Sequence, residues 1–368
     1  MSSLFQRYLL PGFAFKAVVI GGGYATGREL AEYFLGSGPA GGALGMLVST
    51  LCWSVLCVCT FLFAYVMKSR DFGAFFHALL GRGAVLFDLV YACFLLIVLS
   101  VFGAAAGELG HSVLHWPAWV GTVLLVLGIA AVVTHGNHSV EALFRYVTYF
   151  LYAVYAVLFV LCFFKVGDRI THAFATVPAS GPWWLNGMTY AGYNAIGAVA
   201  ILPVLRHLQS RRDAVIAGAL AGVLGMLPAL LFFVSMCAWY PDIATAVLPS
   251  DYLLARLDMP AFHILFQCMI FAALLESGSG IVHGANERIA GVLSRRGVVF
   301  SRAGRLAVGM GMLIVSVWIA TEFGLVALVA RGYRLLALMI VVVYVVPALT
   351  VGIWKATRGG ESRAGSVA

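Results

Sequence analysis

Long apolar runs, each followed by a short charged loop, govern what this chain can fold into. A run of about 20 apolar residues is long enough to cross the hydrocarbon core of a bilayer as a helix. Inside that core every backbone N–H and C=O must be satisfied within the protein, which leaves helices or a closed barrel. Runs of this length read as helices. We read ten spans, near 9–35, 42–67, 83–110, 117–135, 143–165, 183–206, 214–239, 261–293, 304–320 and 335–355. Of the 368 residues, 62% are apolar and 10% charged, against roughly 45–50% and about 25% in soluble domains. That balance excludes an ordinary soluble enzyme, a secreted disulfide scaffold and a disordered chain. The first run contains Lys16 and continues past signal-peptide length, so it reads as a span. Residues 1–368 form one polytopic domain, the small polar tail 359–368 is expected to be disordered, and no second domain or long linker is seen. The stretch Phe323–Arg334 is amphipathic and too short to span; it lies at the membrane surface or caps the site.

The net charge of +8 points to orientation in a membrane and not to nucleic acid, because the basic residues sit in loops. With the N-terminus inside, sixteen of the 23 Lys and Arg residues fall on the cytoplasmic side. The positive-inside bias therefore puts both termini in the cytoplasm. Trp116, Trp119, Trp183, Trp184 and Trp239 mark the water interfaces. Cys52, Cys57, Cys59, Cys93, Cys162, Cys237 and Cys268 lie inside apolar runs without a CxxC pair, so neither disulfide nor zinc is expected.

Two spans carry glycine where a straight helix would not. Ile20-Gly-Gly-Gly-Tyr-Ala-Thr-Gly-Arg-Glu29 puts four glycines in the middle of span 1, each costing a helix interior about 1 kcal/mol relative to alanine. Asn186–Gly197 in span 6 holds three glycines, Tyr190, Tyr193 and Asn194, with Pro203 following. Interrupted helices at corresponding positions of two inverted halves point to a transporter binding site. The competing reading is that the glycines let helices pack closely. At a break, exposed N–H groups suit a carboxylate and exposed carbonyls suit a cation. Gly21, Gly22, Gly23, Tyr24, Thr26, Gly27, Tyr190, Tyr193 and Asn194 are the candidate substrate-binding residues, with a solute carboxylate at the N–H groups around Gly22–Gly27.

Ionisable side chains at depth need a partner or water. Glu276, halfway along span 8, lies at the depth of the breaks with Ser277 and Ser279 beside it. Lys16 lies about one turn below Gly21 and is expected to pair with Glu276 or Glu287. These four residues, Lys16, Glu276, Ser277 and Ser279, are the candidate ion-coupling set. Arg28, Glu29 and Glu32 belong to the outer half of span 1, and Arg28–Glu108 is a candidate outer gate. His283 and Glu287 share a helix face, which reads as a polar inner pathway, and no metal site is expected. Tyr146, Tyr149, Tyr152 and Tyr155 repeat every three residues and read as packing.

On Ile20–Glu29, Gly192-Tyr-Asn-Ala-Ile-Gly197, Leu275-Glu-Ser-Gly-Ser-Gly280 and Asn286-Glu-Arg-Ile289, nearly the whole chain resembles the amino acid–polyamine–organocation superfamily, whose members share the LeuT-type fold. Within it the sequence is similar to the YkvI-type bacterial membrane proteins. The resemblance implies an all-α membrane fold of five-plus-five inverted repeats, about 9–165 and 183–355, with helices 1 and 6 broken at mid-membrane, in the bacterial cytoplasmic (inner) membrane. It implies a substrate site between helices 1, 3, 6 and 8. Where the sodium-coupled branch has adjacent hydroxyls on helix 8, this chain offers Leu275, Glu276 and Ser277. A proton is therefore the expected coupling ion, with sodium the alternative, and no other cofactor is expected. The expectation is a secondary transporter, such as an amino acid symporter, taking a small polar or zwitterionic solute, an amino acid or related amine, by alternating access. Its partners are that solute and the lipid bilayer. A transporter-fold sensor without turnover is the alternative, and a membrane enzyme has no nucleophile–base set to support it.

Overall fold

The computed structural model describes residues 3–134, 137–295 and 297–357. The tail 359–368 and three of the counted arginines, Arg296, Arg358 and Arg363, lie outside the described residues. Among those residues every regular element is a helix. The first segment is three pieces, α1 (Leu10–Val19), α2 (Gly22–Ala25) and α3 (Arg28–Tyr33), followed by the long α4 (Gly38–Met67). A short α5 (Phe72–Leu80) leads into α6 (Ala84–Leu114), α7 (Ala118–Thr134) and α8 (Asn137–Thr176). The second half runs through α9 (Trp183–Asn194), α10 (Ile196–Ala200), α11 (Arg211–Met236), α12 (Pro249–Leu257), α13 (Pro260–Arg295), α14 (Arg302–Ala327) and α15 (Tyr333–Ile340). Six continuous helical stretches among the described residues are long and apolar enough to cross a membrane, and Ala118–Thr134 is a shorter apolar helix. The segments read from sequence as 304–320 and 335–355 fall in one such stretch, Arg302–Thr357, bent at Gly324 (φ 72°).

Residue chemistry sets the helix ends. Asp71 accepts the Ala74 N–H at 2.9 Å and starts α5, a surface helix that the hydropathy pattern does not announce. Ser210 caps α11 by accepting the Asp213 N–H at 3.1 Å, and Asp213 accepts the Gln209 N–H at 2.9 Å. The first bond satisfies a first-turn donor that a helix leaves open, and the second ties down the residue before the cap. Arg7 reaches the same carboxylate, with Nη2 at 2.6 Å and Nε at 2.8 Å. This bidentate bond holds the Asp213 carboxyl well below the usual carboxylate range. Arg211 in turn donates to the Ala356 carbonyl at 3.3 Å, so the first and last described segments meet on one side of the molecule.

Close helix contact explains much of the glycine. A Cβ on Gly218 of α11 would press into the Cys57–Val58 backbone of α4, and one on Gly222 would strike Ser54 and the Thr50 carbonyl. Ser54 Oγ donates across the same seam to the Ala219 carbonyl at 2.9 Å. Without a hydrophobic drive between helices in lipid, such contacts supply the packing. Outward residues such as Leu47, Leu51 and Val55 form an exposed apolar stripe along α4, the face a bilayer would cover.

The link Phe323–Arg334 caps the site. It buries Leu328, Val329 and Tyr333, and the Tyr33 hydroxyl at the end of α3 donates to the Val329 carbonyl at 3.0 Å.

Candidate functional site

The first segment breaks twice. Ile20 leaves helical geometry at ψ 82°, Gly22–Ala25 makes a single turn, and Gly27 takes φ 77°, a left-handed conformation that glycine adopts without steric cost. Thr26 Oγ1 donates to the Gly23 carbonyl at 2.9 Å and braces the turn. The sixth segment is interrupted more gently. Ala195, between α9 and α10, keeps right-handed angles (φ −54°, ψ −29°), and the chain leaves the α-helix only after Ala200. There Gly197 lies against Phe15, and Gly192 against Ala337 and Val341, so glycine in this segment serves close packing.

Between these segments and helices α6 and α13 lies a cavity of about 280 Å³. Of the substrate-binding candidates, Gly21, Tyr193 and Asn194 line it, and so does Ser277 from the coupling set. Tyr24 and Tyr190 are buried in a tyrosine cluster beside it, where Tyr190 meets Tyr193 edge-on at 5.5 Å. Gly27 packs under Phe232 and Pro249, and Gly22 opens the short α2. The wall is otherwise apolar, with Val98, Phe102 and Ile196 among the lining residues.

Glu29 is the residue that the sequence reading assigned elsewhere. It is 4% exposed, lines the cavity, and accepts a hydrogen bond from the Tyr193 hydroxyl. Its carboxylate lies so close to Gly23 that a Cβ there would overlap it. The turn expected to meet a solute carboxylate at its N–H groups therefore faces a carboxylate of the protein. The αL turn at Gly27 produces this: it restarts the helix at Arg28, and a side chain in the first turn of a helix tilts back toward the N-terminus. The signal in the sequence was the pairing of a glycine cluster with an acid two residues after it.

The coupling set is divided. Lys16 is buried, with Nζ 3.1 Å above the Tyr152 ring, and the charge of Glu276 acts on it. Glu287 is not its partner, because Arg305 of α14 pairs with Glu287 at 2.5 Å. Glu276 is half-buried on α13 next to the lining Ser277, and Ser279 is fully buried. Within the tyrosine stripe, Tyr155 packs into the protein and meets Tyr24 at 6.1 Å, and Tyr152 lies under the Lys16 ammonium but is itself exposed, as are Tyr146 and Tyr149.

The expected Arg28–Glu108 gate is not formed. Arg28 donates to the carbonyls of Ala246 (2.8 Å) and Ala244 (3.4 Å) and to Glu32 (3.2 Å). Arg334 stands 3.7 Å from the other oxygen of Glu32. These bonds, with Tyr33 on Val329 and the Tyr333 ring tilted against Tyr193 at 4.4 Å, close the cavity on the side away from the N-terminus. Toward the N-terminal side its lining continues through Ala17, Val18 and Tyr91, and Val18 is 43% exposed. One turn beyond Tyr91, Arg288 of α13 pairs with Asp88 of α6.

No protein-family model matches the chain. It is 24% identical over 328 residues to the uncharacterized membrane protein YkvI of Bacillus subtilis (strain 168), covering 88% of this chain and 90% of that one. Its structure is similar to that of MhsT in complex with L-phenylalanine, with a TM-score of 0.61 and 12% identity over 98% of both chains. A manganese transporter of Eremococcus coleocola matches with a TM-score of 0.59 and 17% identity, over 94% of this chain and 78% of that one. MHP1, a nucleobase-cation-symport-1 family transporter with bromovinylhydantoin bound, matches with a TM-score of 0.57 and 13% identity, over 91% and 77%. The chain is thus an all-α membrane protein with the LeuT-type fold that these transporters share.

Proposed function

We propose that the chain is a secondary active transporter of a small solute of the amino acid or amine class, working by alternating access. The observation that carries this is the cavity at the broken first segment, sealed on one side by Tyr193, Tyr333 and the Arg28–Glu32 contacts and continuing toward the other through Val18 and Tyr91. Its volume of about 280 Å³ suits a small molecule at the lower end of the usual range for binding pockets. The same fold holds L-phenylalanine in one neighbour and serves manganese in another, so the solute class is read from the lining and not from the fold.

The N-terminal side is the cytoplasmic side, as the loop charges require, and both termini lie there. The protein sits in the bacterial inner membrane, and the cavity is the inward-facing state. Lys16, Glu276, Ser277 and Ser279 couple transport to a cation. A proton is favoured over sodium because Glu276 is a carboxyl group that can carry one, and the Lys16 ammonium on which its charge acts already supplies a fixed positive charge there.

The test is uptake into liposomes from a panel of amino acids and amines, under an imposed proton or sodium gradient. Accumulation above the equilibrium level with a proton gradient is the expected result. Binding without uptake under either gradient would replace the transporter with a sensor built on the same fold.

A further inference from the structure

We infer that the cavity is built for an organic ammonium with an apolar body and no carboxylate of its own. This rests on the transport reading and narrows its substrate class. Among the described lining residues one is acidic, Glu29, and none carries a positive charge. The arginine beside Glu29 does not neutralise it, because Arg28 is committed to two carbonyls and Glu32. Lys16, next to the lining Ala17, turns its ammonium onto Tyr152.

The hydrogen-bonding inventory leans the same way. A solute carboxylate needs donors, and two donors of the lining are already used: the Tyr193 hydroxyl on Glu29, and the Asn194 amide on the Tyr190 carbonyl at 3.2 Å. What those residues leave is acceptor capacity at the Glu29 carboxyl group and the Asn194 carbonyl oxygen, against a single remaining N–H of the Asn194 amide. The hydroxyls of Tyr91, Tyr333 and Ser277 serve either role. A carboxylate entering here would find no cation to offset it beside the Glu29 carboxyl group, whereas an ammonium would favour the ionised form of Glu29 and pair with it.

The rest of the wall fits the same guest. Tyr91, Phe94, Phe102, Tyr193 and Tyr333 line the cavity with Glu29. Aromatic faces attract ammonium groups through the ring quadrupole, most strongly away from water, and cages of this type recognise substituted ammonium ions. The apolar remainder, such as Leu95 and Ile281, leaves a hydrocarbon body as the complement.

The test compares three probes that share a phenylethyl body and carry an ammonium, both an ammonium and a carboxylate, or a carboxylate: 2-phenylethylamine, L-phenylalanine and 3-phenylpropionate. Binding to the purified full chain is measured by calorimetry at neutral pH. The amine is expected to bind at least tenfold tighter than the amino acid, the acid not at all, and Glu29→Gln to lose at least tenfold in amine affinity. L-phenylalanine binding as tightly as the amine, amine affinity unchanged in Glu29→Gln, or no binding of any probe overturns the inference. The comparison in the unmodified protein stands by itself should Glu29→Gln not fold. Counterflow of labelled probe in liposomes separates the two claims. Amine that binds but never exchanges refutes transport and leaves the amine selectivity standing; exchange of L-phenylalanine but not amine does the reverse.

Discussion

The Tyr193 hydroxyl donates a hydrogen bond to the Glu29 carboxylate, tying the end of α9 to the start of α3 across the top of the cavity. The two residues belong to the two interrupted segments and are 164 positions apart in sequence. Any movement that opens the cavity on this side has to separate them. The bond also supplies a donor to a buried carboxyl group that forms no ion pair among the described residues, since the adjacent Arg28 is engaged with Ala244, Ala246 and Glu32.

Tyr193→Phe removes that donor and keeps the ring. Leaving a buried acceptor without its bond costs about 1–3 kcal/mol, so thermal unfolding is expected at a lower temperature than in the unmodified protein. In a Glu29→Gln background the same change should cost less, because the residues share one interaction. Additive effects of the two substitutions on unfolding would show that the bond contributes nothing to stability.

Gly23→Ala tests the contact on the other face of Glu29. The new methyl would stand 3.0 Å from the Glu29 carboxyl carbon and 3.2 Å from its Cγ, while Tyr193 restrains the carboxylate from moving away. Overpacking of this kind costs about 1–3 kcal/mol, and a displaced Glu29 should weaken amine binding. Gly36→Ala is the control, since nothing lies within 4 Å of a Cβ there, and it should change stability by no more than about 0.5 kcal/mol. Equal binding and equal unfolding temperature in the two variants would place Glu29 away from Gly23 in solution.

Residue pattern alone carried the helical membrane architecture, because apolar run length and glycine cost are local properties. The break at Gly21–Gly27 was legible for the same reason. Glu29 was not, because its position places it in the outer half of span 1, and only the left-handed turn at Gly27 brings its side chain back against Gly23. Nor was the partner of Arg28 legible: it bonds to carbonyls at Ala244 and Ala246, 216 and 218 residues away, and a backbone acceptor leaves no mark on the sequence. Glu287 paired with Arg305 instead of Lys16 because α14 returns beside α13, a packing choice that charge spacing does not encode.

Asp213 links the N-terminal segment to the start of α11, and its pH behaviour has a defined sign. The Arg7 guanidinium lowers the folded-state carboxyl pKa below its ordinary value, which is about 3.9 in unfolded chains. The stabilisation is therefore complete above about pH 4 and is lost as pH falls from there through the depressed value. The difference in unfolding temperature between the unmodified protein and Asp213→Asn should stay constant from about pH 8 to 5 and shrink only in stronger acid. A difference that already shrinks between pH 7 and 5 would mean that another group holds the segment.

Glu276→Gln separates coupling from binding. Glu276 adjoins the lining Ser277 and acts electrostatically on Lys16, yet it is not one of the lining residues. Replacing its carboxylate by an amide keeps the shape and removes the titrating charge, so solute binding and exchange at equal concentrations should persist. Net uptake should no longer respond to an imposed proton gradient, because the residue proposed to carry the proton is gone. If sodium is the coupling ion, the response to a sodium gradient disappears in its place, since an amide is a weaker ligand for a cation than a carboxylate. Gradient dependence unchanged in Glu276→Gln would remove this residue from the coupling set and turn attention to Glu29, the buried carboxyl group that lines the cavity.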